Sequence, residues 1–201
     1  MFALVESGSI TQMPKGNKGI TLNNVQYPPS IYTLWSESER NAIGIYTVEI
    51  DETNKKDEAW YINTNITYAF SGGKVKGTYG SATAKKIADT LWTSQDKTDG
   101  LIREGEDVGD VAVKGLKTIK KEIINNQCEG ILKHSDWRVV KATETGGTMD
   151  SGWKTYRASV RTKCNSMQTE IDNASDVDAL ATLFKRNESG VRPLGDFPVK
   201  E

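Results

Sequence analysis

The stretch SDWRVVKATETGGTMDSGWKTYRASVR, Ser135 to Arg161, decides how the second half of the chain is read. It sets two tryptophans, Trp137 and Trp153, among charged residues, and the second opens a Trp-x-x-Tyr-Arg run. A catalytic centre and a packed joint between helices would both leave such a pattern. The helical signals favour the joint. Ser135 or Asp136 is placed to accept from the free amides of a first helical turn, and Gly146-Gly147 is placed to stop it. Trp153, Tyr156, Val160, Cys164, Met167 and Ile171 then recur at the three-four spacing of a stripe that faces a core. The spacing predicts a short helix after Ser135 and a long one over Met149–Asp172. Asp136, Trp137, Trp153 and Tyr156 form the structural corner between them, with the tryptophans packed against Leu116–Leu132 and Arg157 braced by Asp136.

The pattern continues outward from the corner. Val113, Leu116, Ile119, Ile123, Cys128, Ile131 and Leu132 fall near one helical face, which predicts a helix from about Ala112 to His134. Gly115 and Gly130 weaken its ends. On the far side, Ser175–Asp178 opens a last short helix through Phe184, with Asp178 at the capping-box position. The tail GVRPLGDFPVKE is turn-rich and extended. Upstream, Ala84, Ile87, Ala88 and Leu91 give Ser81–Trp92 a helical spacing. Thr93–Asp110, polar and broken by glycines, reads as a linker or exposed loop.

The first 80 residues read as strands. Phe2–Glu6, Ile43–Ile50, Glu58–Phe70 and Lys74–Gly80 are rich in β-branched and aromatic residues. The last two form a hairpin around Ser71-Gly72-Gly73. Met13–Ile20 is loop, Pro28-Pro29 interrupts extended chain, and a helical turn fits Ser30–Trp35. Ser36 and Glu39 make a capping box for a helix that Gly44 ends. The expected fold class is α+β: a small N-terminal antiparallel β-rich unit over 1–80, a helix plus flexible polar linker over 81–111, and a helical C-terminal unit with an extended tail over 112–201.

Composition narrows the function. Charged residues make up 26% of the chain and hydrophobic ones 36%, and the net charge is −1. No basic excess or stripe points to nucleic acid. MFALVESGSI lacks the basic and apolar regions of a secretory signal, and no apolar run approaches the roughly 20 residues of a membrane helix. A soluble cytosolic protein is therefore expected. Cys128 and Cys164 have no metal-site or redox-motif spacing and read as two reduced, buried thiols. His134 is the sole histidine. The sequence has no phosphate loop, and Glu104, Glu106, Asp107 and Asp110 read as a solvated acidic run. The expectation is no catalytic residue, no metal, no cofactor and no enzymatic activity. A partner surface would draw on aromatic and arginine residues that the core does not need. Trp60, Tyr61 and Tyr68 on the β-rich half and Arg138, Arg157 and Arg161 on the helical half are the candidates.

Three groups of residues carry a resemblance. Asp136-Trp137, then Trp153-x-x-Tyr156-Arg157, then Val160-Arg161 resembles the C-terminal segment of the tail fibre assembly chaperones of tailed bacteriophages, marine-phage members in particular. Trp35, Ser36, Glu39, Arg40, Ile43, Gly44, Ile45 and Tyr46 resemble an N-terminal element of the same proteins. Arg192–Pro198, RPLGDFP, is similar to their endings. One departure is that Thr148–Gly152 lacks the proline of the corresponding family loop. The resemblance implies an accessory factor that helps a trimeric fibre fold, assemble or attach. Its partner would be a tail fibre or other tail protein, and it would act in the host cytoplasm during assembly. The alternative is a structural virion component (a tail, baseplate or fibre-adaptor subunit) retained in symmetric copies.

Overall fold

Strands in the first half form where β-branched and aromatic residues dominate. The computed structural model describes residues 1–200, and the chain divides into two units, Met1–Thr83 and Ala84–Glu201. The architecture is α+β, a β-rich unit followed by helices. The first unit runs β1 (Phe2–Glu6), β2 (Ser9–Gln12), β3 (Ile20–Leu22), β4 (Val25–Tyr27), α1 (Ile31–Leu34), α2 (Glu37–Ala42), β5 (Ile45–Asp51), β6 (Tyr61–Ile62), β7 (Ile66–Ser71) and β8 (Lys74–Tyr79).

Its main sheet has the order β2-β1-β5-β8-β7. β5 and β8 run parallel, Val48 opposite Val75, while the other three pairs are antiparallel. The sheet is thus mixed, where a wholly antiparallel unit was expected. A parallel pair needs a crossover of about a dozen residues or more, and the chain between Asp51 and Lys74 supplies it, with β7 as its return leg. Successive residues of β1 point to opposite faces. Leu4 packs with Ile31, Tyr32 and Ile45, and Ala3 packs with Val48 and Val75.

Local chemistry explains the joints. The expected capping box is present: the Ser36 hydroxyl accepts from the Glu39 amide, and the Glu39 carboxylate accepts from the Ser36 amide. Gly44 ends α2 at φ 81°, and a Cβ there would sit 2.7 Å from the Val5 carbonyl oxygen. Gly72 and Gly73, both at positive φ, turn the β7–β8 hairpin. The strand expected over Glu58–Phe70 is broken. Asn63 bonds both the amide and the carbonyl of Lys56, which folds that stretch back on itself, and regular pairing with β8 starts only at Ile66.

β9 (Thr83–Ala84) lies at the junction of the units. The second unit continues with β10 (Thr90–Leu91), α3 (Ser94–Thr98), β11 (Val111–Val113), α4 (Leu116–Lys133), α5 (Asp136–Glu144), α6 (Ser151–Asn173) and α7 (Val177–Phe184). The helix expected over Ser81–Trp92 does not form. That segment's polar groups serve the start of α4 instead: the Lys86 and Ile87 carbonyls accept from the Leu116 and Lys117 amides, and Asp89 accepts from the Gly115 amide and the Thr118 hydroxyl. They satisfy the first free amides of α4, which therefore begins at Leu116 and not at Ala112.

The expected linker is organised by its own contacts. β10 pairs antiparallel with β11. Trp92 exchanges backbone hydrogen bonds with Gly109 and Asp110, its indole donates to Glu106, and Thr93 and Asp96 cap α3 reciprocally. The helical core lies between α4 and α6, where Leu116, Ile124 and Cys128 are buried with Val160, Cys164, Met167 and Ile171. Ile119 and Ile123, assigned to that face from sequence, are exposed, and Ile124 takes the core position. α7 adds Val177 and Leu180. Its N-cap is Asp176, not Ser175, and the Asp176 side chain accepts from the Ala179 amide.

Candidate functional site

The corner between α5 and α6 is built on Arg157. This side chain retains 7% of its exposure. Its guanidinium donates to the Leu132 carbonyl at 2.7 Å, to the Ser135 hydroxyl at 2.6 Å and to Asp136 Oδ1 at 2.7 Å. Ser135 is fully buried. The expected Asp136–Arg157 brace is therefore present. Arg157 as a partner contact is corrected: its donors are spent inside the unit, tying the end of α4 and the start of α5 to helix α6. Asp150 supplies the missing start signal in the proline-free loop by accepting from the Trp153 amide at 3.1 Å.

The two tryptophans differ in their surroundings. Trp153 is half-buried and meets Tyr156 edge-to-face, ring centroids 5.9 Å apart. Trp137 is 53% exposed and does not pack into the α4 face as expected. The guanidinium of Arg138 lies between them, 4.5 Å from the Trp137 ring centroid and 4.4 Å from that of Trp153. Arg138 thus joins the first turns of α5 and α6 through cation–π contacts. Arg161 is exposed.

Two of the three β-rich candidates are corrected as well. Trp60 and Tyr61 are 9% and 8% exposed and belong to the interior. Tyr68 is half-buried on the face of Ala3, Val48 and Val75. Its ring crosses Gly77, where a Cβ would approach it to 2.8 Å. Alternation along one strand reveals which residues share a face; it does not reveal that neighbouring chain covers that face.

A groove of about 600 Å³ lies beside the corner, in the helical unit. Ile131 and His134 from the end of α4 form one wall, and Trp153 and Tyr156 from the start of α6 form another. Arg186, Arg192, Asp196, Phe197 and Lys200 close it from the tail. The tail is fixed by Leu194, which is fully buried: its amide donates to the Leu183 carbonyl, and its carbonyl accepts from Lys163 at 2.7 Å. This places Asp196 against Arg186 at 2.8 Å and Arg192 at 3.2 Å. These cations hold the Asp196 carboxyl below the usual carboxylate range, the Arg186 hydrogen bond contributing most.

Reading by sequence segment named Trp153 and Tyr156 as corner residues only. It missed Arg192, Asp196 and Phe197 as their neighbours, although RPLGDFP had stood out as a motif. The signal was present, but only tertiary folding brings Arg192–Phe197 to α6.

Nothing in the groove resembles a nucleophile with its base. His134 is exposed, and both cysteines are free, buried, and on the opposing helices α4 and α6. Burial, with a hydrogen bond to Cys164, pushes the Cys128 thiol up to about 11, the direction of an unreactive thiol. Among the described residues no three His, Cys, Asp or Glu side chains come together as metal ligands, and no helix is long and apolar enough to cross a membrane. Among the described residues the groove offers aromatic rings, an aliphatic wall and more cations than anions. Compared with known proteins, the chain matches no family model, no curated protein and no solved structure.

Proposed function

We propose that this protein is an accessory factor of phage tail fibre assembly, which binds a fibre or another tail polypeptide and aids its folding or attachment. The observation that carries the reading is convergence. The sequence elements that resemble tail fibre assembly chaperones in the second half, Asp136-Trp137, Trp153–Arg157 and Arg192–Pro198, are separated in the chain. They come together around one corner and one groove. Asp136 and Arg157 form the frame, and Trp153, Tyr156 and Phe197 supply the accessible aromatic surface favoured in protein interfaces. A chaperone of this kind needs such a grip and no reactive centre.

Co-expression with a cognate tail fibre tests the reading. The yield of soluble fibre trimer should rise with this protein present and return to baseline without it. An unchanged yield, together with failure to co-purify with any tail protein, rejects the proposal.

A second reading, a structural virion component, is favoured by α5. This helix buries none of its residues, and Trp137, Val139 and Val140 are 53%, 42% and 53% exposed. An apolar face of this kind suits a permanent neighbour. Mass spectrometry of purified particles separates the two: recovery in fixed proportion to tail proteins favours the component, and depletion from particles favours the transient factor.

A further inference from the structure

We propose that the groove between α4, α6 and the tail takes an acidic polypeptide segment, a carboxylate of which is bound by Arg192. The inference rests on the partner-binding reading above and names the chemistry of that partner. Its first support is charge. The chain as a whole carries a net charge of −1, yet among the described residues the groove gathers Arg186, Arg192 and Lys200 around one carboxylate, that of Asp196. The adjoining depression adds Lys185 and shares Arg186 and Arg192, with no acidic residue among the described residues that line it. Two guanidiniums thus divide one carboxylate, and cations remain in surplus on both sides.

The second support is the hydrogen-bonding state of Arg192. Its side chain is only 13% exposed. Its Nε donates to the Gly195 carbonyl at 2.9 Å and lies 3.2 Å from Asp196 Oδ1. Its terminal nitrogens have no acceptor among the described residues, in contrast to Arg186, whose Nη1 and Nη2 both reach Asp196. A guanidinium this enclosed presents a planar fork of donors matched to a carboxylate. It borders both depressions, so a chain passing from one to the other would cross it. The third support is the apolar shelf beside the fork. Ile131, Trp153, Tyr156 and Phe197 give an aromatic or aliphatic side chain of the same segment a place to bury. The groove's volume lies within the range of sites that enclose a few residues of ligand.

Binding of short fluorescein-labelled peptides to the full chain, read by anisotropy, tests the proposal. One probe is rich in Asp and Glu and carries one phenylalanine, a second has Asn and Gln in place of the acids, and a third has Lys. The acidic probe should bind at least about tenfold tighter than the amide probe, and the basic probe should not bind. Arg192→Gln and Arg192→Lys should each weaken the acidic probe about tenfold, the lysine variant because it keeps the charge and loses the fork. Lys200→Glu, an exposed charge reversal, should weaken it without altering the fold, which circular dichroism checks for all three.

Equal binding of acidic and amide probes overturns the inference, and so does unaltered binding by well-folded Arg192 and Lys200 variants. Displacement of the acidic probe by equal concentrations of inorganic phosphate would reduce the site to a general anion site and overturn it too. Tighter binding of a labelled oligonucleotide would do the same. Co-purification of a tail protein with the Arg192→Gln variant as with wild type would sink this inference and leave the proposed function standing. Acidic-peptide binding with no tail protein captured would do the reverse.

Discussion

Replacing Arg157 by alanine should be among the most damaging single changes to the helical unit, and the structure says how the damage divides. The guanidinium serves three acceptors. The Leu132 carbonyl keeps two other donors, the Ser135 amide and hydroxyl, each at 3.0 Å, so it is not orphaned. The Asp136 side chain is 55% exposed, and water replaces its lost partner; a pair of this kind is worth at most about 1 kcal/mol. The fully buried Ser135 hydroxyl loses its donor, at about 1–3 kcal/mol, and the buried stem leaves space that neighbours fill only in part. The total expected is about 2–4 kcal/mol. Asp136→Ala should cost under about 1 kcal/mol, and the coupling of the two in a double-mutant cycle should be equally small. Arg157→Met combined with Ser135→Ala should recover part of the loss, because both polar partners then leave together. Urea unfolding followed by far-ultraviolet circular dichroism measures all four. Arg157→Ala within about 0.5 kcal/mol of wild type, or Asp136→Ala as costly as Arg157→Ala, would refute the reasoning.

Neighbouring isoleucines should separate sharply: Ile124→Ala, fully buried, should cost about 2–5 kcal/mol, whereas Ile123→Ala, 40% exposed, should cost much less in the same unfolding assay. Two glycine-to-alanine changes should have opposite signs. Gly130→Ala meets no atom within 4 Å inside α4 and should stabilise by about 0.5–1 kcal/mol. Gly115→Ala would bring its Cβ to 2.3 Å from the Ala88 carbonyl carbon and should lower the melting temperature. Acidification should destabilise the protein. Glu39 and Asp96 are held below their ordinary range first by the hydroxyls of Ser36 and Thr93, and Asp176 first by the Ala179 amide. Folded-state values depressed in this way give stability that is present above the unfolded carboxylate range, near pH 4, and lost as pH falls through the folded values. Unfolding midpoints should be flat from about pH 7 to 5 and fall below about 4. Neither thiol should react with a disulfide reagent in the native protein at pH 8, and both should react in urea, since Cys128 and Cys164 are 7% and 5% exposed.

What the sequence made legible was whatever a few adjacent residues decide. Ser36 and Glu39 close their capping box within one helical turn, and Gly44 and Gly72-Gly73 act through their own backbone angles. The stripe from Val160 to Ile171 follows from helical period alone. The errors share the opposite cause. Ser81–Trp92 has a helical period, but its carbonyls and Asp89 are recruited as the cap of α4, more than twenty residues on. A weak local preference loses to satisfying amides that would otherwise be orphaned. The Ile123-Ile124 doublet left the register of α4 open, because either residue continues an apolar face and only the partner helix selects one.

Trp60 and Tyr61 became surface candidates for the same reason. Residue type marked them as fit for an interface, and the Asn63–Lys56 clamp that folds their stretch back on itself cannot be read from alternation. The groove is the extreme case. Its walls come from the end of α4, the start of α6 and the tail beyond α7, and no window along the chain contains them together. Trp153 could be recognised as a corner and Arg192–Pro198 as a motif, but their meeting in one groove depends on Leu194. That one buried residue hydrogen-bonds both Leu183 and Lys163 and so determines where Asp196 and Phe197 lie. Leu194 is fully buried in the packing, and Arg192, two positions before it, borders the groove. The shape of the groove is therefore a by-product of how the tail is anchored, and substitutions at Leu194 should disturb the proposed peptide binding before they disturb the α4–α6 core.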